Sequence, residues 1–127
     1  MRAVDWPSLR AAAAQAAGRS YAPYSGFPVG AAGLLVDGTV LQGTNVENAS
    51  YPAGICAETA LVGVLVAGGH GRGDLVAVAV TDPDGGDLSP CGRCRQLLHE
   101  MGGAELLVNE RPMHEWLPGA FTPEDLT

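Results

Sequence analysis

The positions of the cysteines constrain this chain more than any other feature. The sequence contains three of them, and all lie in two short motifs, CAE at residues 56–58 and PCGRC at residues 90–94. The spacing of Cys91 and Cys94 places two thiols on one face of a helix that begins there, and Cys56 supplies a third thiol from a separate segment. Three sulfur ligands leave one position of a tetrahedral zinc ion open, which is typical of a catalytic zinc site. The fold must therefore bring both motifs together.

Glu58 is the acid/base group that such a site needs. It lies two residues after Cys56, and in a regular helix this spacing puts the two side chains on roughly opposite faces. Glu58 is therefore a poor second ligand from that helix, but it can accept a proton from a water that zinc has made acidic. We predict Cys56, Cys91 and Cys94 as ligands of one Zn2+ per subunit and Glu58 as the catalytic residue.

Charge and length narrow the class of partner. The formal net charge is −7, and the seven basic residues are arginines dispersed along the chain. Because no basic run could follow a phosphate backbone, we expect a small free substrate and no nucleic-acid partner. No apolar stretch has the length of a leader or a membrane span, so we expect no membrane association. An odd number of cysteines with thiolate chemistry favours the reducing cytoplasm, and 127 residues fit a single domain spanning 1–127.

Hydrophobic periodicity and turn residues predict a layered α/β domain with a mixed sheet. The order of elements is helix, hairpin, helix, strand, helix, strand. The predicted segments are a helix from Asp5 or Ser8 to Ala17, a hairpin of 29–36 and 39–44, an apolar helix over 56–67, a strand over 75–81, a helix from Cys91 to 102–103, a strand over 106–108 and a tail loop with one helical turn over 116–127.

The two cysteine motifs and their surroundings resemble the small homotetrameric cytidine deaminases, whose zinc and proton-transfer signature they contain. The resemblance rests on NVENASY at 45–51, GICAE at 54–58, SPCGRCRQ at 89–96, VGAA at 29–32 and LPGAF at 117–121, with Tyr24, Ser25 and Phe27. It covers almost the whole chain. It implies a three-layer α/β/α fold with a central mixed sheet of about five strands. It also implies hydrolytic deamination of cytidine and deoxycytidine to uridine and deoxyuridine, with release of ammonia, in pyrimidine salvage.

The same resemblance implies how the pyrimidine base is bound and converted. Water adds to C4 of the ring, while Glu58 carries a proton to N3 and later helps to protonate the leaving amine. Phe27 corresponds to the residue that packs against the ring. The backbone of Ala57 and Ser89 corresponds to the groups that bind the O2 atom and the exocyclic amine.

Binding of the sugar and closure of the pocket also follow from the resemblance. Asn45 and Glu47 correspond to the pair that hydrogen-bonds the ribose 3′-hydroxyl, and a carboxylate there disfavours a 3′-phosphate. In the family, segments of neighbouring subunits complete the pocket. These segments correspond here to Ala49–Tyr51, which includes the substrate-binding candidates Ala49 and Tyr51, and to Phe121. The resemblance therefore implies a homotetramer with shared pockets.

One position departs from the family pattern, and other classes of protein remain open from the sequence. Many members have arginine directly after the catalytic glutamate, whereas this chain has Thr59, so we expect the acidity of the zinc water to be tuned differently. A blasticidin-S-type deaminase shares both cysteine motifs, but its substrate lacks an ordinary ribose. A non-catalytic, zinc-stabilised oligomeric module would have no use for Glu58. A thiol redox protein would not explain why a third cysteine, Cys56, lies close to a glutamate.

Overall fold

A computed structural model of the protein describes residues 3–127, in which a five-stranded mixed sheet lies between two helical layers. The helices are α1 (Trp6–Ala17), α2 (Ala57–Ala67), α3 (Gly92–Gly102) and α4 (Met113–Trp116), and the strands are β1 (Gly30–Leu35), β2 (Val40–Thr44), β3 (Leu75–Thr81), β4 (Leu107–Val108) and β5 (Arg111–Pro112). The strand order is β2-β1-β3-β4-β5. Strands β3 and β4 are parallel, and the other neighbouring pairs are antiparallel.

Alternation of side chains along β1 and β3 divides the apolar interior into two cores, one on each face of the sheet. Small residues on one face allow α1 to lie close, and the members of this core are Leu9, Ala13, Ala32, Ala77 and Ala79. Larger residues fill the other face beneath α2 and α3, among them Leu61, Leu65, Val78, Val80 and Leu98. The predicted three-layer α/β/α fold with a mixed sheet of five strands is therefore confirmed.

Gly43 in β2 determines how closely α2 can lie on the sheet. A Cβ atom at Gly43 would lie 2.5 Å from both the carbonyl oxygen of Ala57 and the backbone nitrogen of Leu61. Only a residue without a side chain allows this approach. Because Ala57 is the first residue of α2, the contact locates the end of the helix that carries Cys56 and Glu58.

The local predictions agree with most of the observed elements. Asp5 caps α1 by accepting hydrogen bonds from the backbone and the hydroxyl of Ser8. Helices α2 and α3 begin directly after Cys56 and Cys91, which are their N-cap residues. None of the helices within residues 3–127 is long and apolar enough to cross a bilayer.

The sequence-based prediction missed the β4–β5 hairpin and helix α4, whereas the one helical turn predicted within residues 116–127 is confirmed by a 3-10 helix at Pro123–Leu126. Strand β5 and helix α4 begin at Arg111 and Met113, before the predicted tail. The turn between the strands is Asn109-Glu110, and both residues adopt left-handed backbone conformations with φ of 50° and 65°. A two-residue hairpin is usually recognised by a glycine in the second position, which this turn lacks.

Candidate active site and metal centre

The three cysteines meet where α2 and α3 begin. Cys56 and Cys91 are N-cap residues, and Cys94 lies in the first turn of α3. Their sulfur atoms all lie within 4.8 Å of one another, and the Sγ atoms of Cys56 and Cys91 are 3.8 Å apart. A tetrahedral zinc ion with Zn–S bonds of about 2.3 Å has sulfur–sulfur edges of about 3.8 Å. The spacing of the donors therefore fits zinc.

The protonation chemistry of these thiols also fits a cation. Burial raises the pKa of Cys56 and of Cys94, so neither side chain would be ionised at neutral pH without a positive charge nearby. The free N–H groups at the two helix N-termini contribute part of that charge, and a bound divalent ion supplies the rest. The hydroxyl oxygen of Thr59 lies 3.8 Å from the sulfur of Cys94, so it can donate a hydrogen bond to a thiolate there.

Glu58 is a buried carboxyl group in the first turn of α2. Only 3% of its surface is exposed, and burial raises its pKa. It lines a cavity of about 520 Å³ whose wall also includes Cys56 and Cys91. A carboxyl group whose pKa is shifted towards neutrality, beside a metal centre and inside a cavity, is suited to accept a proton and then donate it.

Five of the eight predicted substrate-binding residues line this same cavity: Phe27, Asn45, Glu47, Ala57 and Ser89. The sequence-based reading did not single out the apolar residues of the wall, which are Val29, Val46, Ile55, Val80 and Leu88. Their apolar character marks a core position equally well, so no signal in the sequence distinguishes a cavity wall from an ordinary interior.

Asn45 binds the loop that forms one side of the cavity. Its side-chain oxygen accepts a hydrogen bond from the backbone N–H of Val29 at 3.0 Å, and its side-chain nitrogen donates to the carbonyl oxygen of Phe27 at 3.0 Å. The hydroxyl of Ser20 donates to the same side-chain oxygen. Asn45 therefore holds Phe27 at the cavity wall while it lines the cavity itself.

Glu47 binds the neighbouring part of that loop. One carboxylate oxygen accepts the backbone N–H groups of Tyr24 and Ser25 at 3.0 and 3.1 Å, and the other accepts the hydroxyl of Ser25. The bonds from Ser25 lower the pKa of Glu47, so this carboxylate stays charged to a lower pH than usual. The oxygen that accepts only the Ser25 hydroxyl keeps further acceptor capacity for a ligand.

Ala49, Tyr51 and Phe121 do not line the 520 Å³ cavity. Ala49 is exposed, and Tyr51 is 75% exposed beside a neighbouring cavity of about 330 Å³ that Glu47 also lines. Phe121 is 57% exposed, and its carbonyl oxygen accepts a hydrogen bond from the side chain of Gln96 at 2.7 Å. Within one chain these three residues leave their side chains open to solvent.

Arg95 stabilises the segment that enters α3, a role that the sequence-based reading did not predict. Its guanidinium donates hydrogen bonds to the carbonyl oxygens of Pro90 and Trp116, both at 2.9 Å, and lies 4.9 Å from the centre of the Trp116 ring. Pro90 directly precedes Cys91, so Arg95 links the metal-binding segment to α4. Its place next to Cys94 in the PCGRCR run was the available signal.

Three features together define the zinc-dependent nucleobase deaminase class: a sheet with helices on both faces, three sulfur donors at the starts of two helices, and a buried glutamate beside those donors. Comparison with known proteins identifies the family. The sequence profile described as "Cytidine and deoxycytidylate deaminase zinc-binding region" matches residues 7–110. The chain belongs to this cytidine and deoxycytidylate deaminase family, and the site is a zinc site.

Individual relatives agree over nearly the full length of the chain. A cytidine deaminase of Mycobacterium tuberculosis (strain CDC 1551 / Oshkosh) is 51% identical, over 97% of this chain and 94% of the relative. A cytidine deaminase of Halalkalibacterium halodurans is 44% identical, over 97% of this chain and 98% of the relative. The crystal structure of the cytidine deaminase from Mycobacterium tuberculosis superimposes with a TM-score of 0.89 at 51% identity, over 94% of this chain and 98% of that chain.

Proposed function

We propose that the protein catalyses the zinc-dependent hydrolysis of cytidine and deoxycytidine to uridine and deoxyuridine, with release of ammonia. The observation that carries the proposal is that sulfur atoms of the metal site and the carboxyl group of Glu58 line one cavity. The relatives that match over nearly their whole length are cytidine deaminases, which supports the choice of substrate. Glu58 distinguishes this enzyme from a zinc-stabilised module without catalytic activity.

The reaction needs a nucleophilic water and a group that moves protons. Zinc held by Cys56, Cys91 and Cys94 would act as a Lewis acid and lower the pKa of water towards neutrality. Glu58 accepts a proton from the water that attacks C4 and delivers it to N3 of the ring. It then helps to protonate the exocyclic nitrogen as the C4–N bond breaks and ammonia leaves. The raised pKa of the buried carboxyl group favours this exchange in both directions.

The remaining residues of the cavity account for recognition of a free nucleoside. Phe27 packs against the pyrimidine ring, and the backbone of Ala57 and Ser89 binds its O2 atom and exocyclic amine. Asn45 and Glu47 hydrogen-bond the 3′-hydroxyl of the sugar, which ribose and deoxyribose share. The charge of Glu47 would repel a phosphate at the 3′ position, and this favours nucleosides over 3′-nucleotides.

We also propose that the enzyme is a homotetramer of single-domain chains (residues 1–127) that works in pyrimidine salvage in the cytoplasm. Exposure of the Tyr51 and Phe121 side chains in the single chain supports a role in closing the pockets of neighbouring subunits, as does exposure of Ala49. Thiolate ligands are best preserved in a reducing compartment. Light scattering across a dilution series, with activity measured on the same samples, tests whether the tetramer is the active species.

Loss of the ultraviolet absorbance of cytidine on addition of purified, zinc-loaded protein tests the activity. The matched variants are Glu58→Gln, which keeps the size of the side chain, and Glu58→Ala. We expect rapid loss with wild type and a reduction of about 100-fold or more in both variants, with zinc content unchanged. Inactive wild-type protein that holds about one zinc per chain would overturn the substrate assignment and make blasticidin S the next compound. Inactive, zinc-free protein would overturn the catalytic-metal interpretation.

A further inference from the structure

The turn between β4 and β5 contains a residue in a strained conformation with a specific partner. Glu110 adopts a φ of 65°, which glycine takes without strain and a residue with a Cβ takes at a cost. Its carboxylate lies 2.5 Å from the guanidinium of Arg10, which projects from α1. The ion pair therefore links this turn to α1, the helix on the face of the sheet opposite α2 and α3.

The side chain of Asn109, the other residue of the turn, continues the sheet where β4 ends. Its backbone N–H donates to the carbonyl oxygen of Val78 at 2.9 Å, after which the chain turns away from β3. The side-chain amide of Asn109 then pairs with the backbone of β3 in place of a strand. Its oxygen accepts the N–H of Val80 at 2.9 Å, and its nitrogen lies 3.3 Å from the carbonyl oxygen of Val80. The same nitrogen donates to the carbonyl oxygen of Leu88 at 3.0 Å.

Leu88 belongs to the segment that leads into the metal site. Its own N–H donates to the carbonyl oxygen of Val80 at 2.9 Å, so this segment lies along the edge of β3 that β4 has left. Asp87, one residue earlier, accepts hydrogen bonds from Nε and Nη2 of Arg10 at 2.8 and 3.2 Å. Asn109 and Arg10 thus hold the same short segment from two sides, just before Ser89 and Cys91.

We infer that Asn109 is a positioning residue that places Ser89 at the cavity wall and Cys91 at the metal centre. It acts through the Leu88 carbonyl, one residue before Ser89 and three before Cys91. Arg10 bonds both Asp87 and Glu110, so it holds the β4–β5 turn next to the segment that contains Asp87 and Leu88. The effect on substrate binding rests on the proposed function, whereas the effect on the metal centre does not.

The test compares zinc-loaded wild type with Asn109→Asp. Aspartate preserves the size of the side chain and the acceptor for Val80, but it replaces the donor to Leu88 with an oxygen that faces a carbonyl oxygen. Zinc release to a chelator, KM and kcat for cytidine, and Tm are measured together. Leu34→Ala, in the core beneath α1, is the control that lowers Tm without contacting the segment.

We expect Asn109→Asp to release zinc about tenfold faster or more and to raise KM more than it lowers kcat. Leu34→Ala should lower Tm and leave zinc release and KM at wild-type values. A variant that loses only thermal stability, with zinc release and KM unchanged, would overturn the inference.

Two further outcomes remain informative. If Asn109→Asp does not fold, Asn109→Gly decides, because glycine relaxes the turn and removes all of the side-chain bonds. Wild-type zinc release in that variant would refute the positioning role. If wild type does not deaminate cytidine, the proposed function fails, but zinc release still tests the effect of Asn109 on Cys91.

Discussion

Gly43→Ala should impair catalysis through the position of a helix, without altering any group that contacts substrate or metal. The added Cβ would lie 2.5 Å from the carbonyl oxygen of Ala57 and the nitrogen of Leu61, and 2.9 Å from the Cα atom of Leu61. These are backbone atoms of α2, so no side chain can rotate away to make room. The helix and β2 must move apart.

The size of this movement follows from the contact distances. Non-bonded heavy atoms separate to about 3.5 Å, so the start of α2 must shift by about 1 Å. Overpacking of this kind costs about 1–3 kcal/mol, which corresponds to a Tm lowered by about 4–12 °C in a chain of this length. Because Cys56 and Glu58 move with the helix, a displacement of about 1 Å should lower kcat/KM by about 100-fold.

The assay combines thermal unfolding, zinc content and kcat/KM for cytidine, with Gly18→Ala as the matched control. Gly18 ends α1 with an ordinary right-handed backbone conformation (φ −65°), and a Cβ there would come no closer than 3.4 Å to another atom. We expect Gly18→Ala to behave as wild type. Wild-type Tm and kcat/KM in Gly43→Ala would refute the argument that this close approach positions the site.

Three other substitutions test individual interactions. Ser25→Ala removes the hydroxyl hydrogen bond that is the main cause of the lowered pKa of Glu47, and it leaves the backbone N–H bond of residue 25 in place. The pKa of Glu47 should therefore rise, and the acid limb of the kcat/KM profile should move to higher pH. An unmoved limb would contradict the role of Glu47 in substrate binding. Thr59→Val removes the hydroxyl beside the Cys94 sulfur and should speed zinc loss to a chelator about tenfold. Thr59→Ser keeps the hydroxyl and should retain zinc like wild type. Equal zinc release from both variants would exclude a hydrogen bond from Thr59 to Cys94. Asp5→Ala removes the cap of α1 and should lower the free energy of unfolding by about 1 kcal/mol, measured by urea denaturation. Because the hydrogen bonds of Arg10 to Asp87 and Glu110 stay in place, kcat/KM should be unchanged, and an altered kcat/KM would show that the cap itself influences the site.

Much of the fold was predictable because its signals are local. The apolar run over 75–81 and the helix starts at Cys56 and Cys91 depend on residues within one or two turns of each other. The hairpin at Asn109-Glu110 was not predictable in this way. Its second residue is stabilised by Arg10, which lies 100 residues away in the sequence.

The chemistry of the site was predictable from the amino-acid sequence alone: three thiols, a carboxyl group beside one of them and a spacing that puts Cys91 and Cys94 on one helical face. These features depend on residue type and short-range spacing, which every α-helix converts to geometry in the same way. Three further facts required the tertiary structure: the Sγ atoms of Cys56 and Cys91 lie 3.8 Å apart, Glu58 lines the same cavity as these cysteines, and the side chain of Asn109 donates to the carbonyl oxygen of Leu88, just before Ser89. Such contacts join distant parts of the chain, and they exist because α2 and α3 pack on one face of a sheet whose strand order no local pattern specifies.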